Sequence, residues 1–354
     1  MSDLIYVSVN EPGYSRKKRG SGFQYLDEKG KRITDKEIIS RIKALKIPPM
    51  WEDVWICKKP SGHLQATGID SRRRKQYLYH EEWSKLRNES KFYKMAEFAR
   101  ALPVIRKTAE KDLNKDGWPR EKVLALIINI LDECFLRIGN KTYTEQNETY
   151  GLTTLRRKHL NINGSKTTFS YMAKGSKYRK VSIEGRKITR LIKECSQLPG
   201  YEVFQYRDND GTVRPVYSSD VNTYLQEVSG ESFTAKDFRT WGGTVTAIEL
   251  FEKAKAEAEA NPRKKLSTSL VKNVAERLGN TVAICQEYYI HPCILSKVIE
   301  NSLDLEKAKN AALKKYKELH PALDDNELIA LLLVEEHLKE NEPPDLKILE
   351  KAAA

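Results

Sequence analysis

The sequence lacks the long apolar runs that membrane proteins need. It has no window of about 18 apolar residues, the length at which a transmembrane helix becomes a candidate. Its first residues, MSDLIYVSVNEPGYSRKKRGSGF, contain no apolar core of a signal peptide. The five cysteines form no CxxC pair and have no zinc-ligand spacing. These absences predict a soluble cytoplasmic protein with reduced, buried thiols and no membrane contact.

Two kinds of motif for small charged ligands are also missing. No GxxxxGK[ST] loop occurs, so an ATP site of that kind is absent. No carboxylate cluster suggests a pair of metal ions. We therefore expect no cofactor and no metal. Positive charge is in excess, because 62 lysines and arginines against 49 aspartates and glutamates leave a formal charge of +13. That balance favours a polyanion, and nucleic acid is the leading candidate.

The N-terminal part of the chain has the pattern of a small β-rich domain. Short strand-like segments with Gly and Pro turns extend from residue 22 to about residue 79, and the first of them is expected to turn at residues 28–30. One helix is predicted over residues 37–45. The run SRRRKQYLYH places four basic residues directly before Gln76, Tyr77 and Tyr79. Basic side chains beside aromatic rings and an amide suit phosphate and base contacts.

After about residue 87 the pattern becomes mainly helical. One helix is expected to break at Pro103, and an apolar helix over residues 123–136, which Gly139 ends, should be the spine of this part. Residues 166–184 alternate and turn as a β-hairpin does. Charged helices with a leucine stripe form the tail after about residue 300.

These patterns predict an α+β fold in two domains. A β-rich domain is expected over residues 1–87, and a larger, mainly α-helical domain with a C-terminal helical tail over residues 88–354.

Two arginines and a lysine of this second part have unusual local settings. Arg137 ends the apolar helix, where a guanidinium is costly unless it projects into a polar cleft. Lys174 lies at the hairpin tip. Arg239 follows a capping box of Thr234 and Asp237, so it lies in the first turns of a helix whose amide end favours anions. Each has an ordinary alternative, such as a partner for a helix dipole or an exposed lysine.

The segment LGNTVAICQEYYIHP, residues 278–292, contains a pair of tyrosines, Tyr288 and Tyr289. Gly279 should end one helix and Thr281 should cap the next, with Asn280 between them. Tyr289 then lies two turns into a short helix, which Pro292 should end. Taken alone, an unselected tyrosine is more often part of the core.

Several motifs together resemble the small type IB DNA topoisomerases of the poxviral and bacterial kind. The resemblance covers about residues 20–300. It rests on RIKALKIPPMWEDVWIC, GHLQATG, RKQYLYH, CFLRIGN, QNETYGLTTL, YMAKGSK, KDFRTWGGT and LGNTVAICQEYYIHP.

This resemblance implies the type IB topoisomerase/tyrosine recombinase fold, as a monomeric two-domain clamp around double-stranded DNA at the bacterial nucleoid. Residues 1–87 would be its DNA-gripping domain and residues 88–354 its catalytic domain. Tyr289 matches the nucleophile that joins the 3′-phosphate, and Tyr288 should be dispensable. Arg137 and Arg239 match the pair that holds the non-bridging oxygens, and Lys174 matches the proton donor to the leaving 5′-oxygen. Asn280 stands where many members have histidine, which makes its role supportive. The positions that match DNA contacts are Gln76, Tyr77, Tyr79 and Tyr143.

Phosphoryl chemistry is consistent with this assignment. A phenol with a pKa of about 10 is a poor nucleophile at neutral pH, so fixed guanidiniums must stabilise its anion and the charge that develops on phosphorus. Two alternatives stay open from the sequence. A tyrosine recombinase would share the nucleophile and the arginines, and a DNA-binding clamp would have lost catalysis.

Overall fold

A computed structural model describes residues 4–261 and 263–341, apart from the side chain of Tyr143. The chain divides into two compact units, the first reaching to Lys91 and the second beginning at Phe92. The first contains an antiparallel sheet and the second is mainly helical, so the α+β fold class is confirmed. The domain boundary after residue 87 stays a prediction. No described helix is both long and apolar enough to cross a membrane.

Five antiparallel strands form the sheet of the first unit, in the order β2-β1-β3-β4-β5. Ile42 of helix α1 packs against this sheet with Val54, Ile56 and Ala66. The elements are β1 (Tyr14–Arg19), β2 (Gly22–Leu26), α1 (Lys36–Ala44), β3 (Glu52–Ile56), β4 (Leu64–Ile69) and β5 (Lys75–Tyr79), followed by α2 (Glu81–Tyr93), which reaches into the second unit.

The predicted turn at residues 28–30 is present, and an antiparallel bridge between Leu26 and Arg32 follows it. Strand β2 pairs along its whole length with β1, which precedes the segment predicted as β-rich. The sequence of β1, YSRKKR, carries almost no apolar signal. Polar contacts hold this strand in place, because Arg16 donates to the carbonyl oxygens of Ile47 at 3.0 Å and of Pro48 and Trp51 at 2.8 Å. Such contacts leave no trace in a hydropathy pattern.

The second unit surrounds one large core with helices and two small sheets. Its elements are α3 (Met95–Leu113), α4 (Arg120–Cys134), α5 (Lys141–Asn147), β6 (Leu160–Asn163), β7 (Lys166–Ala173), β8 (Lys177–Glu184), α6 (Arg186–Cys195), β9 (Gln205–Arg207), β10 (Val213–Pro215), α7 (Ser218–Ser229), α8 (Ala235–Glu249), α9 (Phe251–Glu259), α10 (Leu266–Leu278), α11 (Val282–Tyr288), α12 (Pro292–Ile299), α13 (Leu305–Tyr316) and α14 (Asp325–Glu340).

Helix α4 is the predicted spine, with buried residues on every side and contacts to α3, α6, α7 and α8. It ends earlier than predicted, because Phe135 adopts a left-handed conformation with φ 50°. Arg137 therefore lies beyond the helix. The predicted break at Pro103 is wrong, since α3 continues through it. Burial of Leu102 and Ile105 stabilises that stretch despite the amide that proline lacks.

Helix α14 is part of the core, whereas the sequence indicated a charged tail. Its residues from Glu327 to Val334 are all buried. The guanidinium of Arg106 pairs with both Glu327 oxygens at 2.7 and 2.9 Å and with both Asp132 oxygens at 2.8 and 3.0 Å. The indole Nε1 of Trp241 on α8 donates to Glu327 at 3.2 Å. These bonds join α14 to α3, α4 and α8.

We expect Glu327→Ala to lower the free energy of unfolding by about 3 kcal/mol, because it leaves a largely buried guanidinium with one carboxylate fewer. The measurement is denaturant unfolding. Glu336, exposed on the same helix, is the matched control, and its replacement by alanine should change stability by less than about 0.5 kcal/mol. Equal losses in the two variants would mean that the network does not stabilise the fold.

Candidate active site

The carbonyl end of α10 brings three of the predicted catalytic residues together. Gly279 ends the helix with φ 65°, as the sequence predicted, and Asn280 follows it. Arg137 donates to the amide oxygen Oδ1 of Asn280 and to the carbonyl oxygen of Gly279, the latter at 3.4 Å. Arg239 donates to the same Oδ1 at 3.3 Å and to the carbonyl oxygen of Leu278 at 3.2 Å. Two guanidiniums thus share one amide oxygen.

Arg137 reaches this point from the segment after α4. The carbonyl oxygens of Arg137 and Ile138 accept from the amides of Leu152 at 2.8 Å and Thr153 at 2.7 Å. The accepting segment belongs to the motif CFLRIGN, and the donating one to QNETYGLTTL. These backbone bonds fix the position of Arg137 on a segment that is neither helix nor strand.

Arg239 lies in the second turn of α8 and is 4% exposed. The predicted capping box is present, since the amide of Thr234 donates to Asp237 at 2.8 Å. Arg239 also donates to the carbonyl oxygen of Phe135. In the described part of the chain, its Nε and the amide nitrogen Nδ2 of Asn280 are buried without a hydrogen-bond partner. Buried donors of this kind are costly unless an acceptor binds them. They suit an anion.

Tyr289 lies at the C-terminal end of α11, which Thr281 caps as predicted. Pro292, expected to end this helix, instead opens α12. The guanidinium carbon of Arg239 is 5.0 Å from the centroid of the Tyr289 ring. Burial raises the pKa of the phenol, but the charge and hydrogen bonding of Arg239 and the charge of Arg137 offset this effect, so the pKa lies below its usual value.

The two arginines also influence each other. Burial is the main cause that lowers the pKa of Arg137, to about 10, and the neighbouring charge of Arg239 adds to it. The negative charge that Tyr289 would carry acts in the opposite direction. The site is therefore short of negative charge.

A pair of glycines that the sequence reading did not single out lets α8 approach this site. A Cβ on Gly243 would lie 2.3 Å from the carbonyl oxygen of Tyr289, and one on Gly242 would lie 2.2 Å from the Phe135 ring. The hydroxyl of Thr244 then accepts from the amide of His291 at 3.0 Å. Two glycines inside a helix are destabilising by themselves. Two adjacent glycines within a predicted helix were therefore the signal in the sequence that another segment packs closely against α8.

Lys174 is not part of the buried cluster. It is exposed in the turn between β7 and β8, which form the predicted hairpin. Of the five predicted catalytic residues, four therefore converge, and the fifth lies at a hairpin tip. The inward face of the hairpin carries Tyr171 and Arg179, which were not predicted. The charge of Arg179 also lowers the pKa of Arg137.

The predicted DNA-contacting residues of the first unit lie on β5. Tyr77 and Tyr79 are 48% and 36% exposed, and their rings stack with centroids 6.1 Å apart. Gln76 points to the other face of the strand, where its amide donates to Asp70 at 2.9 Å. Tyr143 lies in α5, and its side chain is outside the described part of the structure.

Family models match most of the chain. The model of the eukaryotic DNA topoisomerase I catalytic core matches residues 80–317, and that of the bacterial DNA topoisomerase IB N-terminal domain matches residues 22–70. The chain belongs to the DNA topoisomerase I family, in the type IB class of enzymes.

Individual relatives agree with this assignment. DNA topoisomerase 1B of Acanthamoeba polyphaga mimivirus is 32% identical over 286 residues, covering 78% of this chain and 85% of the relative. DNA topoisomerase 1B of Vaccinia virus (strain Western Reserve) is 27% identical over 263 residues, covering 72% and 79%. A solved structure of the XerH site-specific recombinase bound to palindromic difH substrate has 15% identity and covers 70% of this chain and 59% of its own. Its TM-score of 0.35 is too low to establish a shared fold.

The lowered pKa of Tyr289 can be measured directly. We expect one phenol to titrate below the usual value of about 10 in the difference between the ultraviolet titrations of the native chain and of Tyr289→Phe. Arg239→Ala should move this titration to higher pH, because it removes the main cause that lowers the pKa. Tyr288→Phe is the control for loss of a neighbouring ring. A Tyr289 phenol that titrates at or above 10 would contradict the described electrostatics.

Proposed function

We propose that the chain relaxes supercoiled duplex DNA by cutting one strand with Tyr289 and then rejoining it. The observation that carries the proposal is the cluster at the end of α10, where two guanidiniums share the Asn280 amide oxygen and that of Arg239 lies 5.0 Å from the centroid of the Tyr289 ring. Buried donors there have no acceptor in the described part of the chain. A phosphodiester supplies both an electrophile for the phenol and anionic oxygens for the donors.

In the proposed cleavage step, the Tyr289 oxygen attacks phosphorus, forms the new P–O bond and loses its proton to solvent. The bond from phosphorus to the 5′-oxygen of the next nucleotide breaks, and Lys174 gives that oxygen a proton. The product is a 3′-phosphotyrosyl ester and a free 5′-hydroxyl. One phosphoester replaces another, so the reverse reaction reseals the strand without ATP.

Arg137 and Arg239 are proposed to bind the two non-bridging oxygens. Charge grows on these oxygens as the fifth bond to phosphorus forms, and fixed donors in a partly buried site stabilise that charge most. By analogy with other lost oxyanion donors, removal of either guanidinium should slow cleavage by about 10²- to 10³-fold. Both arginines are already oriented by carbonyl oxygens, so little reorganisation is needed when a phosphate arrives.

Asn280 is proposed to orient the two arginines and to donate one bond of its own. Its Oδ1 faces both guanidiniums, which accept nothing, so the amide nitrogen must point the other way. That nitrogen is the buried donor without a partner described above. It can bind a phosphate oxygen but carries no charge, which makes its contribution smaller than that of an arginine.

The first unit is proposed to hold the duplex, as one part of a two-domain clamp. Tyr77 and Tyr79 have basic neighbours, with the Lys75 nitrogen 5.8 Å from one ring centroid and the Arg87 guanidinium 5.9 Å from the other. Gln76 and Tyr143 stay proposed contacts on the resemblance alone. Together with the charge of +13, these residues support DNA binding. That the chain acts as a monomer at the nucleoid is proposed on the resemblance alone.

The assignment of Tyr289 as the nucleophile is tested by removing its phenolic oxygen. The native chain should relax a supercoiled plasmid in EDTA and, on a nicked duplex, form a covalent adduct that survives denaturation. Tyr289→Phe should do neither, because it removes the only atom that bonds to phosphorus in the proposed step. Tyr288→Phe, the neighbouring matched control, should keep both activities. An adduct formed by Tyr289→Phe would refute the assignment, and strand exchange at paired sites without relaxation would favour a recombinase.

The role of Lys174 is tested by changing the leaving group. Lys174→Ala should slow single-turnover cleavage by about 10²- to 10⁴-fold, the usual contribution of general acid catalysis. Sulfur in place of the leaving 5′-oxygen should remove most of this defect, because a thiolate leaves without a proton more readily than an alkoxide does. Lys177→Ala, at the other side of the same turn, is the control. A defect of equal size on both substrates would show that Lys174 is not the acid.

A further inference from the structure

Arg179 fastens the hairpin of β7 and β8 to the carbonyl end of α10. It pairs with Tyr171 across the hairpin. Its Nη1 donates to the carbonyl oxygen of Glu276 at 3.2 Å and its Nη2 to that of Arg277 at 3.0 Å. Carbonyls in the last turn of a helix have no amide partner four residues further on. A guanidinium beside them also complements the helix dipole.

Gly279 makes this contact possible. Its φ of +65° suits glycine, and a Cβ there would lie 2.5 Å from the Cζ, Nε and Nη1 atoms of Arg179. The guanidinium therefore lies directly against the backbone one residue before Asn280. Any side chain at position 279 would displace it.

The contact extends the pattern of the active site, because successive oxygens of residues 276–280 accept from three guanidiniums. The carbonyl oxygens of Glu276 and Arg277 accept from Arg179. The carbonyl oxygen of Leu278 accepts from Arg239, that of Gly279 accepts from Arg137, and Oδ1 of Asn280 accepts from both Arg137 and Arg239. Arg179 differs from the other two because it belongs to the hairpin. The closing pair of that hairpin, Ala173 and Lys177, is two residues further along the strands, about 7 Å away.

We propose that Arg179 is a positioning residue that holds the Lys174 hairpin in register with the segment that carries Asn280. The proton donor and the phosphate-binding arginines then keep a fixed position relative to one another, although they come from different parts of the fold. This inference rests on the proposed function, since it assigns Arg179 an effect through Lys174. It requires arginine at this position, because two neighbouring carbonyls need two donors in one plane, and lysine supplies a single point charge.

The test compares Arg179→Ala and Arg179→Lys with Lys180→Ala, which removes the same charge from the exposed face of the same strand. Single-turnover cleavage of a nicked duplex is measured with oxygen and with sulfur as the leaving atom. On the oxygen substrate, both Arg179 variants should be slower by on the order of 10²-fold, the cost of misplacing a catalytic group by about 1 Å. Lys180→Ala should cleave at the native rate. Sulfur should return Arg179→Ala to near the native rate.

Two results would overturn the inference. One is cleavage by Arg179→Ala at the native rate, and the other is an equal defect on both substrates, which a purely structural role would produce. Thermal melting of each variant identifies loss of folding, and Arg179→Lys keeps the charge if the alanine variant melts early. If the native chain forms no adduct on either substrate, the proposed function itself fails. If the native chain does form an adduct, the results for the Arg179 variants test this inference separately from the proposed function.

Discussion

Two positive side chains are held side by side at the carbonyl end of α10. Arg137 and Arg239 share one amide oxygen, and their mutual repulsion contributes to the lowered pKa of Arg137. The carbonyl end of α10 solves this problem, since the aligned peptide groups of a helix place about half a negative charge at its C-terminus. Three separate parts of the chain, the segment after α4, helix α8 and the β7–β8 hairpin, each bring one guanidinium to that end.

Packed helices support the arrangement of Arg137, Arg239 and Tyr289. Gly243 allows α8 to touch the backbone of Tyr289, so the helix that carries Arg239 also locates Tyr289. On its other side, α8 is bound to α14 through Trp241 and Glu327. Sites built on packed helices keep their geometry better than sites on loops do. Helix α14 therefore supports the helix that carries Arg239.

The sequence predicted what depends on near neighbours and failed where distant packing decides. The end of α10 at Gly279, the cap at Thr281 and the β7–β8 hairpin were all recognised correctly, because each is encoded within a few residues. Strand β1 and the course of α3 through Pro103 were not, since contacts far along the chain stabilise them. The site residues were selected by resemblance. Their convergence, with Arg137 and Gly279 separated by 142 positions, could be described only from coordinates.

The asparagine at position 280 has a consequence for how the site responds to acidity. Imidazole gains and loses its proton between about pH 5 and 8, whereas carboxamides do not ionise and guanidiniums stay protonated there. The donors on Arg137, Arg239 and Asn280 therefore keep one fixed protonation pattern across the neutral range. Mild acid within that range therefore leaves the positive charge of this cluster unchanged.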